Sequence, residues 1–229
     1  MKTLPEWLLD VFGYRCNDMR YFESALTHRS AGSQHNERLE FLGDAVLNCV
    51  VADLLYRHFP NSPEGELSRY RATLVSGESL AALSGELNLG ERMQLGSGEL
   101  KSGGFRRKSI LADALEALLG AMYLDGGFES VSAVIKRLFA PRLAQLPSAA
   151  QLKDPKTRLQ EALQARAVAL PDYVIESITG EAHAQHFRVH CEVPALSIKT
   201  FGEGGSRRAA EQEAAKVAFE QLKPLWNLQ

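Results

Sequence analysis

Apolar residues recur at three- and four-residue intervals through the first half of the chain, and in part of the second half they alternate singly with polar ones. A long helical pattern covers 36–58 and breaks at Pro60, and Asn61, Ser62 and Pro63 mark a turn before another helix over 64–75. Further helices are predicted over 77–87 and over 109–124, the latter with Ser109 as N-cap, and over 128–143 beyond the Gly126-Gly127 break. The texture then changes: 147–154 is small and polar and reads as a linker. Pro155 opens an amphipathic helix over 155–166. A strand is predicted over 172–178, and over 186–193 Phe187, Val189, Cys191 and Val193 alternate with Arg188, His190 and Glu192, the period of a half-buried strand. A third strand over 196–201 leads to a glycine-rich turn at 202–205 and an alanine-rich helix from Ser206 to about Leu222. The expected architecture is an all-α unit over 1–146, a linker over 147–154, and a small α+β unit of order α-β-β-β-α over 155–224.

Composition narrows the class. The chain has 229 residues, 45% of them hydrophobic, enough for one large domain or two modest ones. The formal net charge of −2 means that no global positive field advertises a nucleic-acid partner, so any such binding falls to local patches. Cys16, Cys49 and Cys191 are too few and too scattered for a disulfide framework or a zinc site. The first residues lack the apolar core of a signal peptide, and no apolar run reaches the length of a membrane span. A cytoplasmic protein without a membrane partner is expected.

The most informative segment runs from Asn36 to Leu47. At about 100° per residue, Glu37, Glu40 and Asp44 fall within roughly 60° of one another, while Leu39, Leu42 and Val46 hold the opposite side. Such an acidic stripe on a polar face is often merely solvated. Phe41, however, lies on the acidic side, which suggests that this face meets a partner. Gly43 interrupts the helix at about 1 kcal/mol relative to alanine, which points to the close approach of another backbone or a ligand. A second pair, Asp113 and Glu116, shares a face of an otherwise apolar helix. Carboxylates in such surroundings need partners, and a divalent cation serves a cluster of four. Hard oxygen donors without neighbouring His or Cys suit Mg²⁺ rather than zinc. The run from Lys101 to Lys108 leads into this helix; it is either a solvated loop or a basic segment that steers a phosphodiester towards the acids.

These segments resemble the ribonuclease III family. NERLEFLGDAVL at 36–47 is similar to the family signature, and ALTHRS at 25–30, EGELSRYRATLV at 64–75 and KSGGFRRKSILADALEALLG at 101–120 match it in order. The resemblance is closest to the short bacterial enzymes. It implies that Glu40, Asp44, Asp113 and Glu116 are the metal-binding and catalytic acids, that Glu37 and Glu64 are accessory acids near the cleavage site, and that Phe41 packs into a socket on a second subunit of a homodimer. His28 and Arg29 lie in a recurrent segment, for which a structural role is expected.

Residues 155–224 resemble a double-stranded RNA-binding domain, a module that reads duplex shape through 2′-hydroxyl and phosphate contacts. Thr157, Gln160 and Glu161 on its first helix are placed to reach a minor groove, His183 in the 180–183 loop to enter the next, and Ser206, Arg207 and Arg208 to meet phosphate at the start of the last helix. One position departs from the pattern. Many such domains carry a third basic residue three positions after Arg208, where this chain has Glu211. Charges over the unit balance, so modest affinity with strong salt dependence is expected. The resemblance as a whole implies a Mg²⁺-dependent, homodimeric endonuclease of double-stranded RNA that needs no organic cofactor. It would leave 5′-phosphate and 3′-hydroxyl ends and process ribosomal RNA precursors and other structured transcripts. The alternatives are a duplex-binding protein that has lost catalysis and a metal phosphohydrolase of small molecules.

Overall fold

The computed structural model describes residues 2–148, 152–181 and 184–226. The chain divides into two compact units, Met1–Pro147 and Ser148–Gln229. Part of the expected linker, 149–151, lies outside the described residues.

The first unit is helical: α1 Leu4–Phe12, α2 Met19–Ala25, α3 Glu37–His58, α4 Glu64–Leu74, α5 Gly77–Glu86, α6 Ser97–Lys101 and α7 Lys108–Ala144. Its centre is the packing of α3 on α7, where Leu47, Leu55, Leu115, Leu118 and Leu119 are fully buried. Each such side chain contributes about 1.5–3 kcal/mol relative to exposure. Leu39 and Val46 face this core as the helical spacing predicts, but Leu42 is only half-buried.

The start of α7 corrects one expectation. Its N-cap is Arg107, in extended conformation, so Ser109 lies inside the first turn and does not cap. Arg107 is tied back to Glu99 at 3.0 Å, and this anchor fixes the chain entry ahead of the serine. The predicted break at Gly126-Gly127 falls at Gly127, whose φ of 75° and ψ of 178° interrupt an otherwise continuous helix.

The second unit comprises α8 Pro155–Gln164, strands β1 Asp172–Thr179, β2 His186–Val193 and β3 Ile198–Gly204, and α9 Arg207–Trp226. The strands form an antiparallel sheet in the order β1-β2-β3. Its core joins Leu159 and Leu163 of α8 to Cys191 and Val193 of the sheet and to Ala214, Ala218 and Leu222 of α9. The third strand begins later and ends later than its sequence suggests. Pro194–Leu196 forms a 3₁₀ turn followed by Ser197 at a left-handed φ of 54°, which delays the strand to Ile198. Gly202 and Gly204 are strand residues, paired with Val189 and Phe187, and not a turn. A β-carbon at Gly202 would overlap the backbone of Ala210 and Ala214, so the glycine is there to let α9 lie flat against the sheet.

Candidate active site and duplex-binding face

The acids are brought together by two glycines. A β-carbon at Gly43 would collide with the Glu116 carbonyl oxygen, and one at Gly120 with the Leu39 carbonyl oxygen. At this crossing α3 and α7 approach backbone to backbone, and the carboxylates flanking it converge. Glu40, Asp113 and Glu116 each offer an oxygen within 4.8 Å of the others.

Such crowding disfavours ionisation. Burial first, then repulsion from Asp44, Glu40 and Asp113, pushes the Glu116 carboxyl up to about 8. Burial, with repulsion from Asp113, Glu37 and Asp44, also raises Glu40. Asp113 is raised by burial against the opposing pull of His28 and Arg29. Three carboxylates drawn together, each with its ionised form disfavoured by burial, make a donor set whose ligand atoms are all hard oxygens. The residues therefore fit a divalent metal such as Mg²⁺.

Asp44 is exposed and lies outside the tight trio. Asn48, one turn on, holds it by donating its amide to Asp44 Oδ1 at 2.7 Å. Glu37 accepts from Arg29 at 3.1 Å. A cleft of about 610 Å³ is lined by His28, Arg29, Glu37, Glu40, Arg107 and Asp113 among others. His28 and Arg29 thus stand on the wall of the acidic cleft, where sequence reasoning expected only a structural role. Their types gave the signal, since a cation and an imidazole in a recurrent segment are ordinary neighbours of a phosphate site. Of the basic run, Arg107 reaches the cleft, while Lys108 is turned to Glu78 at 2.9 Å. Glu64 does not join the cluster within one chain. It begins α4, accepts from Ser68 at 2.6 Å, and lines a separate hollow with Ala52, Tyr56 and Leu67. Phe41 is 80% exposed.

In the second unit, Asp154 caps α8 by accepting from the Thr157 amide at 3.1 Å and from its hydroxyl at 2.7 Å. Gln160 and Glu161 are exposed on the same helix, and Glu161 is paired with Lys153. Ser206 caps α9 by accepting from the Ala209 amide at 3.2 Å, and Arg207 and Arg208 are exposed beside it. His183 lies outside the described residues.

Comparison with known proteins identifies the family of both units. A ribonuclease-III-like family model matches residues 18–143, and a double-stranded RNA binding motif matches 155–222. The chain is 55% identical over 211 residues to ribonuclease 3 of Aromatoleum aromaticum, covering 92% of this chain and 94% of that one. It is 53% identical over 215 residues to ribonuclease 3 of Vibrio cholerae, covering 94% and 96%. Among solved structures, the nuclease domain of ribonuclease III from Campylobacter jejuni superposes with a TM-score of 0.60 at 42% identity, covering 64% of this chain and all of that one. A second structure of that domain, described as flexible in a region involved in dimer formation, gives 0.59 at 42% identity, covering 61% and 98%.

Proposed function

Because this chain belongs to the ribonuclease III family, we propose that it is a Mg²⁺-dependent, homodimeric endoribonuclease that cuts both strands of an RNA duplex. The observation that carries this reading is the trio Glu40, Asp113 and Glu116, whose oxygens lie within 4.8 Å of one another in a chain that also holds a duplex-binding motif. These three would hold the ion, with Asp44 beside them. Bound there, Mg²⁺ would supply Lewis-acid activation of water and charge neutralisation at the leaving 3′ oxygen; the products proposed are 5′-phosphate and 3′-hydroxyl ends with a short 3′ overhang.

The protein's own groups do the rest. Asn48 fixes the rotamer of Asp44. Arg29 and Arg107 put positive charge on the cleft wall, where a scissile phosphate enters. Thr157, Gln160, Glu161, His183, Ser206, Arg207 and Arg208 bind the duplex, and Ser206 presents the start of α9 to phosphate.

A duplex has two antiparallel strands and one acidic cluster addresses one phosphate, so a two-fold dimer matches the symmetry of the substrate. Phe41 is its anchor. Glu64 is separated from the cluster within one chain, so its role belongs at the seam between subunits, while Glu37, on the wall of the acidic cleft, is an accessory acid near the cleavage site. No described helix is long and apolar enough to cross a membrane. Work in the cytoplasm on ribosomal RNA precursors and other structured transcripts is part of the same proposal.

The test is incubation with a long RNA duplex with and without Mg²⁺. Short duplex fragments that form only with the metal are expected. A duplex that stays bound and intact in Mg²⁺ would favour the non-cleaving alternative.

A further inference from the structure

We infer that Glu211 is a positioning residue that joins Lys156 and Arg207 into a single phosphate-binding pair, which makes Lys156 a duplex contact of the second unit. The inference rests on the reading that this unit binds double-stranded RNA.

By charge alone an acid at this position opposes an RNA phosphate, and the sequence presents it as a defect in the basic motif. The structure gives it another use. The Glu211 side chain is only 11% exposed and lies under two cations from different helices. Its Oε2 accepts from Lys156 Nζ at 2.7 Å, and its Oε1 accepts from Arg207 Nε at 2.8 Å. Lys156 stands in the first turn of α8 and Arg207 opens α9, so one carboxylate ties together the starts of the two helices that carry the duplex-binding side chains.

Each cation keeps a part outside this bond. Arg207 engages Glu211 through Nε alone, and its side chain is 61% exposed, which leaves the terminal guanidinium nitrogens in the geometry for bidentate phosphate binding. Lys156 is 35% exposed and is held from a second side by the Tyr173 ring, 4.1 Å from its ammonium. Without the carboxylate, two like charges would repel and two long side chains would regain rotamer freedom that RNA must then remove. The trio as built keeps a net charge of +1 at a fixed place.

The two accounts of Glu211 predict opposite signs. If it acts only through its charge, Glu211→Gln, which keeps the shape, must tighten RNA binding. If it positions the pair, the same change must weaken binding. The experiment is fluorescence anisotropy of a labelled blunt RNA duplex with the full-length protein in EDTA, over a series of KCl concentrations. Glu211→Gln is expected to weaken binding by about threefold to tenfold and to make the slope of log K against log[KCl] shallower by about one, the value of one lost phosphate contact. Lys156→Met should do the same, and the double variant should bind no more weakly than the weaker single one. Thermal melts of each variant confine the comparison to temperatures well below its midpoint, where a merely structural loss does not alter the salt slope. If Glu211→Gln fails to fold, Lys156→Met alone decides, because unchanged affinity there overturns the inference. Equal or tighter binding by folded Glu211→Gln also overturns it. Wild-type protein that does not bind the duplex overturns the underlying reading, and that result is distinct from a wrong sign in the variant.

Discussion

Gly43 and Glu116 meet backbone to backbone, with no room for a β-carbon between the glycine and the glutamate carbonyl oxygen. The same glutamate carries the carboxyl most strongly shifted in the acidic cluster, so the helix crossing and the chemistry share one residue. Gly43→Ala must push α3 off α7. It is expected to cost about 1–3 kcal/mol, as overpacked sites do, and to lower the melting midpoint by several degrees while cleavage falls. Gly85, a helical glycine with open space around it, is the control. Gly85→Ala should leave the midpoint unchanged or raise it, a gain of about 0.5–1 kcal/mol at most. Calorimetry of the two variants checks the contrast, and equal effects would defeat the assignment of Gly43 to close packing.

Glu116 sets a pH dependence whose sign is opposite to that of a salt-bridged acid. Its folded carboxyl titrates near 8, against an ordinary value of 4.5. Between those values the folded chain holds a proton that the unfolded chain has lost, so this group lowers stability progressively as pH rises from about 4.5 to about 8. The cost is absent below that window and complete above it. Metal-free protein should therefore melt lower at pH 8.5 than at pH 6, as far as this group contributes, and Mg²⁺ should restore more of the midpoint at the higher pH. Differential scanning calorimetry with and without Mg²⁺ measures both effects.

Glu116→Gln should abolish cleavage at moderate Mg²⁺ and leave duplex binding intact, because the residue reaches metal but offers RNA no positive charge. In metal-free protein the same change removes a crowded carboxylate, so the midpoint at alkaline pH should rise. Near-normal cutting by this variant would remove Glu116 from the metal site.

Phe41 is exposed in the single chain, and Tyr56 on the same helix is 70% exposed. If Phe41 anchors a dimer, Phe41→Ala should weaken it by about 2 kcal/mol or more, roughly thirtyfold in dissociation constant. Sedimentation at micromolar concentration provides the measurement. A wild-type protein that is monomeric there and still makes paired cuts on both strands would defeat the proposal.

A chain ending after Pro147 retains the whole helical unit and its acids. It should fold and cut weakly at low salt. Loss of the second unit removes phosphate contacts, so affinity should fall and the salt slope should flatten. Equal cutting by the shortened and full chains at physiological salt would count against a binding role for the second unit.

The sequence by itself determined the long helices from α3 onward, the change of texture near residue 147, and which acids lie on one side of a helix, because helical and strand periods are local properties read over a few residues; it did not mark α1, α2 or the short α6. It also assigned a purpose to Gly43, since a glycine inside a strong helical pattern has a cost that needs a reason. Local pattern could not decide where α7 starts. The Arg107–Glu99 pair does so, and Ser109 loses the cap its type predicts. Nor could it decide that Gly202 is a strand residue, since the cause is the backbone of α9, some ten residues later in the chain. Glu40 and Asp113 are far apart in sequence, and only the Gly43–Gly120 crossing brings their oxygens within reach of one ion. Glu211 shows the same limit most sharply. Along the chain it is a negative charge in a basic motif, and in the fold it is a buried carboxylate between two cations. A charge has one sign in a sequence, but what it does depends on which groups the tertiary structure sets within about 3 Å of it.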